Sequence, residues 1–533
     1  MTIFSAQQIP YAHTKAFSSI VTDYVSQVPA LQPFYLHPPT LQGIKKAIAA
    51  RQNTVTNRQV LVDQLVKQYQ GIRLTAKLQA NLDSLLLDNT FTITTAHQPN
   101  IFTGHLYFIY KILHAIKLAE ELKDEMSEYN FVPVYYMGSE DADLEELGEV
   151  HINGKKYTWE TGQVGAVGRM KIDKPFVALI EAIEGQLLVE PFGGEIMAMV
   201  RRAYSLDKTI EQATFEMVHE LFSDYGLLVL LPDNATLKKE FVPIVLKELR
   251  EQFSHKAVTE TMSDFPANYK VQAAGREINL FYLNEDSRER IEPANSEWSV
   301  VNSAIKFDQN SIVPELGNHP ERFSPNVILR PVFQELILPN IVFIGGGGEL
   351  AYWMELKKVF EVVEVPYPVL VLRNSFMVVN KKNADRMNAL KMDTTNFFTP
   401  TDELILQLVK KSSTQKLHLT EEKIELGQLY GKIREAAMAV DKTLQEHTGH
   451  LLAKANKKLL QLEKKMLVAE KKKFEAQQRQ IEKIKAGLFP TGNLQERVDN
   501  ILPYYALYGP AFITMLYENS TGLQQEFCIV TQE

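Results

Sequence analysis

Cysteine is nearly absent: Cys528 is the one thiol in a chain of 533 residues. A lone cysteine forms no intramolecular disulfide, and it excludes every zinc or iron–sulfur site built on several cysteines. Its neighbours Phe527, Ile529 and Val530 read as a terminal strand, so a structural thiol is expected rather than a nucleophile. Long apolar runs are missing too. No uncharged stretch reaches the ~18 residues needed to span a bilayer, and residues 1–10 lack the basic and apolar regions of a signal peptide. A cytoplasmic location, with no membrane partner, is the expectation. An excess of positive charge is likewise missing. The formal net charge is −8, which argues against nucleic acid as the main partner.

What is present is ordinary globular material, 45% apolar and 23% charged, in a chain long enough for several structural units. Residues 1–90 read mainly as helices (41–51, 56–70 and 75–87) packing on a core. From residue 91 the pattern changes. Residues 91–96 are a short β-rich run, 97–104 a loop, and Leu106, Ile109, Tyr110, Leu113, Ile116 and Leu122 mark an amphipathic helix; residues 131–137 are a second strand. Strand, helix and strand in this order form a βαβ unit with parallel strands. Apolar runs at 227–231, 341–344 and 367–372, with a helix over 349–361, extend it. The expected fold is a Rossmann-like, doubly wound α/β core over 91–384, with less regular insertions near 145–220 and 255–325. Residues 385–488 form a further region, dense in Lys, Glu, Gln and Leu over 420–487. Leu459, Leu462, Met466 and Ala469 follow helical spacing, as do Ile481, Ile484 and Leu488. A helical hairpin bending near Asp441 and forming a coiled coil is expected there, with association as its task. Residues 489–533 then return to the core.

Open parallel sheets bind ligands beyond the carboxyl ends of their strands. That rule gathers four stretches. His97, Gln98, Thr103, Gly104 and His105 precede a helix whose free N–H groups suit an anion, and the imidazoles could donate to phosphate or shuttle a proton. Ser139, Glu140, Asp141 and Asp143 suit an amine, a hydroxyl, Mg²⁺ or general-base work; they equally suit helix capping. Residues 345–348 are four glycines that allow close backbone approach, yet neither GK[ST] nor GxGxxG is present. Glu349 beside them would repel a bare phosphate and favours a sugar hydroxyl or an amine. Arg373 opens the fourth stretch. Arg330 fits bidentate binding of a carboxylate or phosphate, or a structural salt bridge.

Several of these segments resemble one family. Residues 95–107, Thr-Ala-His-Gln-Pro-Asn-Ile-Phe-Thr-Gly-His-Leu-Tyr, are similar to the TGQQPGLFTGPLY signature of BshC, the cysteine-adding enzyme of bacillithiol synthesis. Residues 133–141, 329–331, 347–353 and 489–498 match further family motifs in the same order. The resemblance implies a nucleotidyltransferase-like core, a C-terminal coiled coil, a homodimer, and ligation of cysteine to glucosaminyl-malate. ATP or ADP is the implied cofactor, because His97 with Gly104 and His105 occupies the turn of an HxGH-type motif; no metal is assigned. Together the stretches and the resemblance put catalysis on His97, His105, Glu140 and Asp141. Substrate or nucleotide contacts fall on Gln98, Thr103, Gly104, Ser139, Asp143, Arg330, Gln334, Gly347, Gly348, Glu349, Tyr352 and Arg373. The chain departs from the family where Glu140-Asp141-Ala142-Asp143 replaces Glu-Asp-His-Asp, and where His97 and His105 replace Gln and Pro. Two other readings stay open: a nucleotidyltransferase acting on another small substrate, and a non-catalytic dimeric ligand-binding scaffold.

Overall fold

Five parallel strands organise the first of two units in the computed structural model, which describes residues 3–273, 275–294 and 297–533. They are β1 (Thr90–His97), β2 (Asn130–Met137), β3 (Leu228–Leu230), β4 (Asn340–Gly345) and β5 (Val369–Leu372), in the spatial order β3-β2-β1-β4-β5. Register runs from Thr90↔Asn130 to His97↔Met137 on one side of β1, and β4 pairs with β1 on the other. Every pairing in this sheet is parallel. Parallel strands are covered on both faces, which is why these runs are apolar without alternation. The helix α1 (Leu106–Glu125) makes the crossover from β1 to β2, with Leu106, Ile109, Ile112, Leu113 and Ile116 buried. Burial of each such side chain stabilises by about 2 kcal/mol. The Rossmann-like expectation therefore holds.

The chain ends depart from the expectation. Residues 1–90 do contain the helices Leu41–Gln52, Arg58–Gln68 and Ala76–Ser84, but Phe4–Pro10 is a strand. It pairs antiparallel with Glu526–Gln532, from Phe4↔Gln532 to Pro10↔Glu526, and Ser375–Val379 completes a three-stranded sheet. Its sequence, Phe-Ser-Ala-Gln-Gln-Ile-Pro, carries little apolar signal, because its partner is brought in from the other end of the chain. Cys528 is buried in this sheet, and burial pushes its thiol up to about 12. The insertion near 255–325 is also more regular than expected. It holds an antiparallel five-stranded sheet built from Leu280–Leu283, Arg288–Ala294, Glu297–Val300, Lys306–Phe307 and Phe323–Pro325. No helix among the described residues is long and apolar enough to cross a membrane.

Residues 379–492 form the second unit. Its long helices are α3 (Thr420–Val440), α4 (Leu444–Lys472) and α5 (Glu475–Leu488). α3 packs on α4 as a hairpin. At its tip Asp441 accepts from the backbone N–H and the hydroxyl of Thr443, both at 2.8 Å, so the expected bend has an Asx-type stop. Ile481, Ile484 and Leu488 are the buried residues of α5, which packs on the helices Lys381–Leu390 and Thr401–Ser412.

Candidate functional site

The sheet order reverses between β1 and β4, and a ligand crevice is expected where it does. A cavity of about 610 Å³ opens there. β1 ends at His97, whose carbonyl accepts from the Gly138 N–H at 2.8 Å and the Tyr135 hydroxyl at 3.1 Å, tying the loops after β1 and β2 together. β4 ends at Gly345, whose carbonyl accepts from the Arg373 N–H at 2.8 Å and so brings the residue after β5 to the same rim. From Gly347 the chain enters α2 (Gly347–Glu355), and the N-terminal end of this helix forms one wall.

The lining is strongly cationic. Lys111, Arg276, Arg288, Arg330, Arg373 and Arg497 face Asp141, Glu146 and Glu349. Arg330 grips Asp141 with both terminal nitrogens, Nη1 donating to Oδ2 at 2.9 Å, while Arg288 stands 3.6 Å from Oδ1. Burial opposes ionisation of Asp141, but Arg330 and then Arg288 outweigh it and hold the carboxyl at about 2. Arg373 is 2% exposed and forks onto Glu496 at 2.7 and 2.9 Å. His97 packs its ring between Tyr107 and Phe108, with centroids 5.3 and 5.2 Å away. Burial, then Lys111, His105 and Arg373, push its pKa well below the usual histidine value, so the imidazole is neutral at pH 7. His97 Nε2, Arg330 Nε and Arg373 Nε are buried without a hydrogen-bond partner among the described residues. A bare buried polar atom costs about 1–3 kcal/mol, so these three mark places around one cleft where water or a ligand would be taken up as a partner.

Of the residues singled out in the sequence, His97, Gln98, Asp141, Arg330, Gly347, Gly348, Glu349, Tyr352 and Arg373 line this cleft. The others lie outside its lining, each for a physical reason. His105 sits at the residue before α1 without capping it through its side chain, and instead donates from Nδ1 to the Val498 carbonyl at 3.2 Å. Gly104 has φ 66° and ψ −139°, a glycine conformation, and a Cβ there would lie 2.7 Å from that of Asn100. Thr103 is 1% exposed and also has positive φ; the loop is clamped by Asn500, whose amide donates to the carbonyls of Phe102 and Gly104. Ser139 is buried against Gly168. Glu140 forms a buried ion pair with Lys238, so its carboxylate serves packing. Asp143 is exposed and caps the short helix Leu144–Leu147; the cap falls on this residue and not on Ser139. Gln334 is buried and donates to Glu335 at 2.9 Å, and Glu335 in turn holds Arg51 and Asn340 at the opposite, entering end of β4.

The sequence reading missed Tyr107, Lys111, Glu146, Arg276, Arg288 and Arg497. Lys111 did carry a signal, as a single charge inside the otherwise apolar first turns of α1. Arg497 lies within the closing motif at 489–498. Arg276 and Arg288 reach the cleft from the insertion, and nothing local marks them.

Comparison with known proteins agrees with this architecture. Residues 4–374 match the family described as Bacillithiol biosynthesis BshC, N-terminal Rossmann-like domain, and residues 376–532 match Bacillithiol biosynthesis BshC, C-terminal coiled-coil domain. A relative from Flavobacterium johnsoniae named "Putative cysteine ligase BshC" is 37% identical over 98% of this chain and 99% of its own. Relatives with the same name from Christiangramia forsetii and Cytophaga hutchinsonii are 36% and 35% identical, over 98% and 95% of this chain and the same shares of theirs. With both domains matched and the Rossmann-type switch point lined as described, the chain belongs to the BshC family of bacillithiol-biosynthesis ligases.

Proposed function

We propose that the cleft binds glucosaminyl-malate and joins its amine to the carboxyl carbon of L-cysteine, the last step of bacillithiol synthesis. The observation that carries the reading is the cationic lining, in which six basic residues face three acidic ones. Arg373 is further balanced by Glu496 from outside the lining, and a dicarboxylate such as the malate moiety offsets the cations still left over, Arg276 and Arg497 among them; arginine forks suit carboxylates in a bidentate geometry. In the ligation an N–C bond forms, the activating group leaves with its electron pair, and the amine gives up a proton. Asp141, locked by Arg330 and held at about 2, is a poor acceptor for that proton. Glu140, sealed against Lys238, is out of reach. His97 lines the cleft, is neutral and keeps a buried Nε2 unpartnered among the described residues, and it is the group suited to accept a hydrogen bond from the attacking amine.

ATP or ADP fits the same reading. The phosphates would meet Gln98 and the backbone at Gly346 to Gly348, and the nucleotide would supply the free energy for activating the cysteine carboxyl. The test is direct. Purified protein with cysteine, glucosaminyl-malate and ATP should yield bacillithiol by mass spectrometry, and normal bacillithiol in a deletion strain would sink the assignment.

We also propose that the hairpin of α3 and α4 makes a homodimer. Ile424, Leu429, Ile433, Leu451, Leu460 and Val468 are 40–58% exposed along it, and α3 buries no residue within the single chain. Helices that leave such a face open bury it against another helix. Light scattering should report twice the chain mass of 60.7 kDa; a monomeric mass refutes the dimer.

A further inference from the structure

Lys111 and Glu349 meet at the switch point, one from α1 and the other from the first turn of α2. The lysine side chain is 2% exposed and the glutamate 23%. The ammonium donates to the Ala96 carbonyl at 3.0 Å and pairs with Glu349 Oε2. That same oxygen accepts the Gly346 N–H at 2.7 Å. One carboxylate oxygen of the protein therefore occupies both a buried cation and the positive end of a helix, the place where a ligand oxyanion would bind.

A second observation is independent of the helix. Arg373 commits both terminal nitrogens to Glu496, but its buried Nε has no partner among the described residues and lies 3.6 Å from the position a Cβ on Gly346 would take. A bare guanidinium N–H at that spot calls for an acceptor supplied from outside. Gly346, Glu349 and Arg373 all line the cavity, and Glu349 Oε2 itself stands 3.4 Å from that same Cβ position, so moving this carboxylate would uncover the Nε–H.

We propose that Glu349 is an internal stand-in for a substrate oxyanion: a carboxylate or phosphate of the ligand displaces it from Lys111 and the Gly346 N–H, and takes the Arg373 Nε–H as a third donor. The inference rests on reading the cleft as the substrate site. Its logic is electrostatic. A buried ammonium without a counter-ion is strongly disfavoured, so the empty protein keeps one of its own. Burial already lowers the pKa of Lys111, with Glu349 opposing that shift. Glu349, being partly exposed, can turn toward water when a ligand anion arrives; Lys111 has no such freedom. The exchange also selects, because a neutral analogue cannot replace a counter-ion.

Titration calorimetry on the full-length protein tests this with L-malate, its neutral diamide, inorganic phosphate and ADP as probes. Glu349→Gln is the informative variant, since it keeps an oxygen for the Gly346 N–H while removing the competing charge. It should bind the favoured anion about tenfold more tightly, equivalent to ~1.4 kcal/mol, and leave the diamide unchanged. Lys111→Met should weaken the same probe about tenfold or more, and Lys111→Arg should restore part of the loss. Tightening toward malate identifies a carboxylate as the displacing group; tightening toward phosphate or ADP identifies a phosphate. A merely structural Glu349 would give unchanged or weaker binding in Glu349→Gln, and that result overturns the stand-in role. It would leave the substrate assignment intact, because product formation tests that separately. Absence of binding to both the wild type and Glu349→Gln overturns the role as well.

Discussion

Arg330→Met should lower the rate of product formation by at least about a hundredfold, the scale of losing a preorganised charge at a reacting centre. Two effects combine. The variant removes a fork from the cationic wall, and it strips Asp141 of its bidentate partner, leaving Arg288 at 3.6 Å as the nearest cation. A carboxylate buried beside one distant charge takes up a proton more readily, so the Asp141 pKa rises from its wild-type value of about 2. The sign in the wild type follows from that depression. Asp141 contributes stability above its unfolded value of 3.8, and the contribution is lost as pH falls through about 2. The shift is worth about 2 kcal/mol. Urea unfolding midpoints should therefore separate wild type from variant at pH 7 and converge between pH 4 and pH 2. Arg330→Lys should recover charge but not the fork, giving an intermediate rate. Activity of Arg330→Met within a few-fold of wild type would remove this residue from the site.

Glu496→Ala should produce the largest loss of stability. Glu496 is fully buried and Arg373 nearly so, and the pair also engages Ser375, whose hydroxyl receives Arg373 Nη1 at 2.9 Å. Removing one partner of such a pair leaves an uncompensated buried charge and costs about 3–5 kcal/mol. The damage should spread along the segment. Gln495 ties it to both backbone groups of Val378, at 2.9 and 3.0 Å, and Asn500 clamps the loop that leads into α1. Thermal melts and limited proteolysis after residue 492 would read both effects. Replacing both charges, as Arg373→Met with Glu496→Met, should regain much of the midpoint while leaving the enzyme inactive. A single variant melting within about 1 °C of wild type would show that the pair contributes little.

The sheet was legible because parallel strands must be apolar on both faces. Runs such as Phe91 to Ala96 and Ile341 to Ile344 announce themselves, and the loops that follow them fall at the predicted rim. The edge strand Phe4–Pro10 was not legible, since its polar sequence is stabilised by a partner far away in the chain. The site divides in the same way. His97, Asp141, Arg330 and Glu349 follow strand ends or helix starts, and sequence placed them in one cleft. Glu140 and Asp141 are neighbours with the same chemistry, yet one faces Lys238 in the core and the other faces Arg330 in the cleft. No periodicity distinguishes them, because the turn after β2 points successive side chains in different directions. Arg288 belongs to an inserted sheet and Arg276 to the segment leading into it, and their placement at the cleft is a tertiary fact.

The ion pair between Arg373 and Glu496 joins residues on either side of the 379–492 unit. During synthesis, β1, β2, β4 and Arg373 leave the ribosome well before Glu496, and the whole helical hairpin is made in between. The cleft is therefore built from both ends of the chain: Arg373 meets its counter-ion, and Arg497 joins the lining, only once the stretch beyond residue 493 has been made.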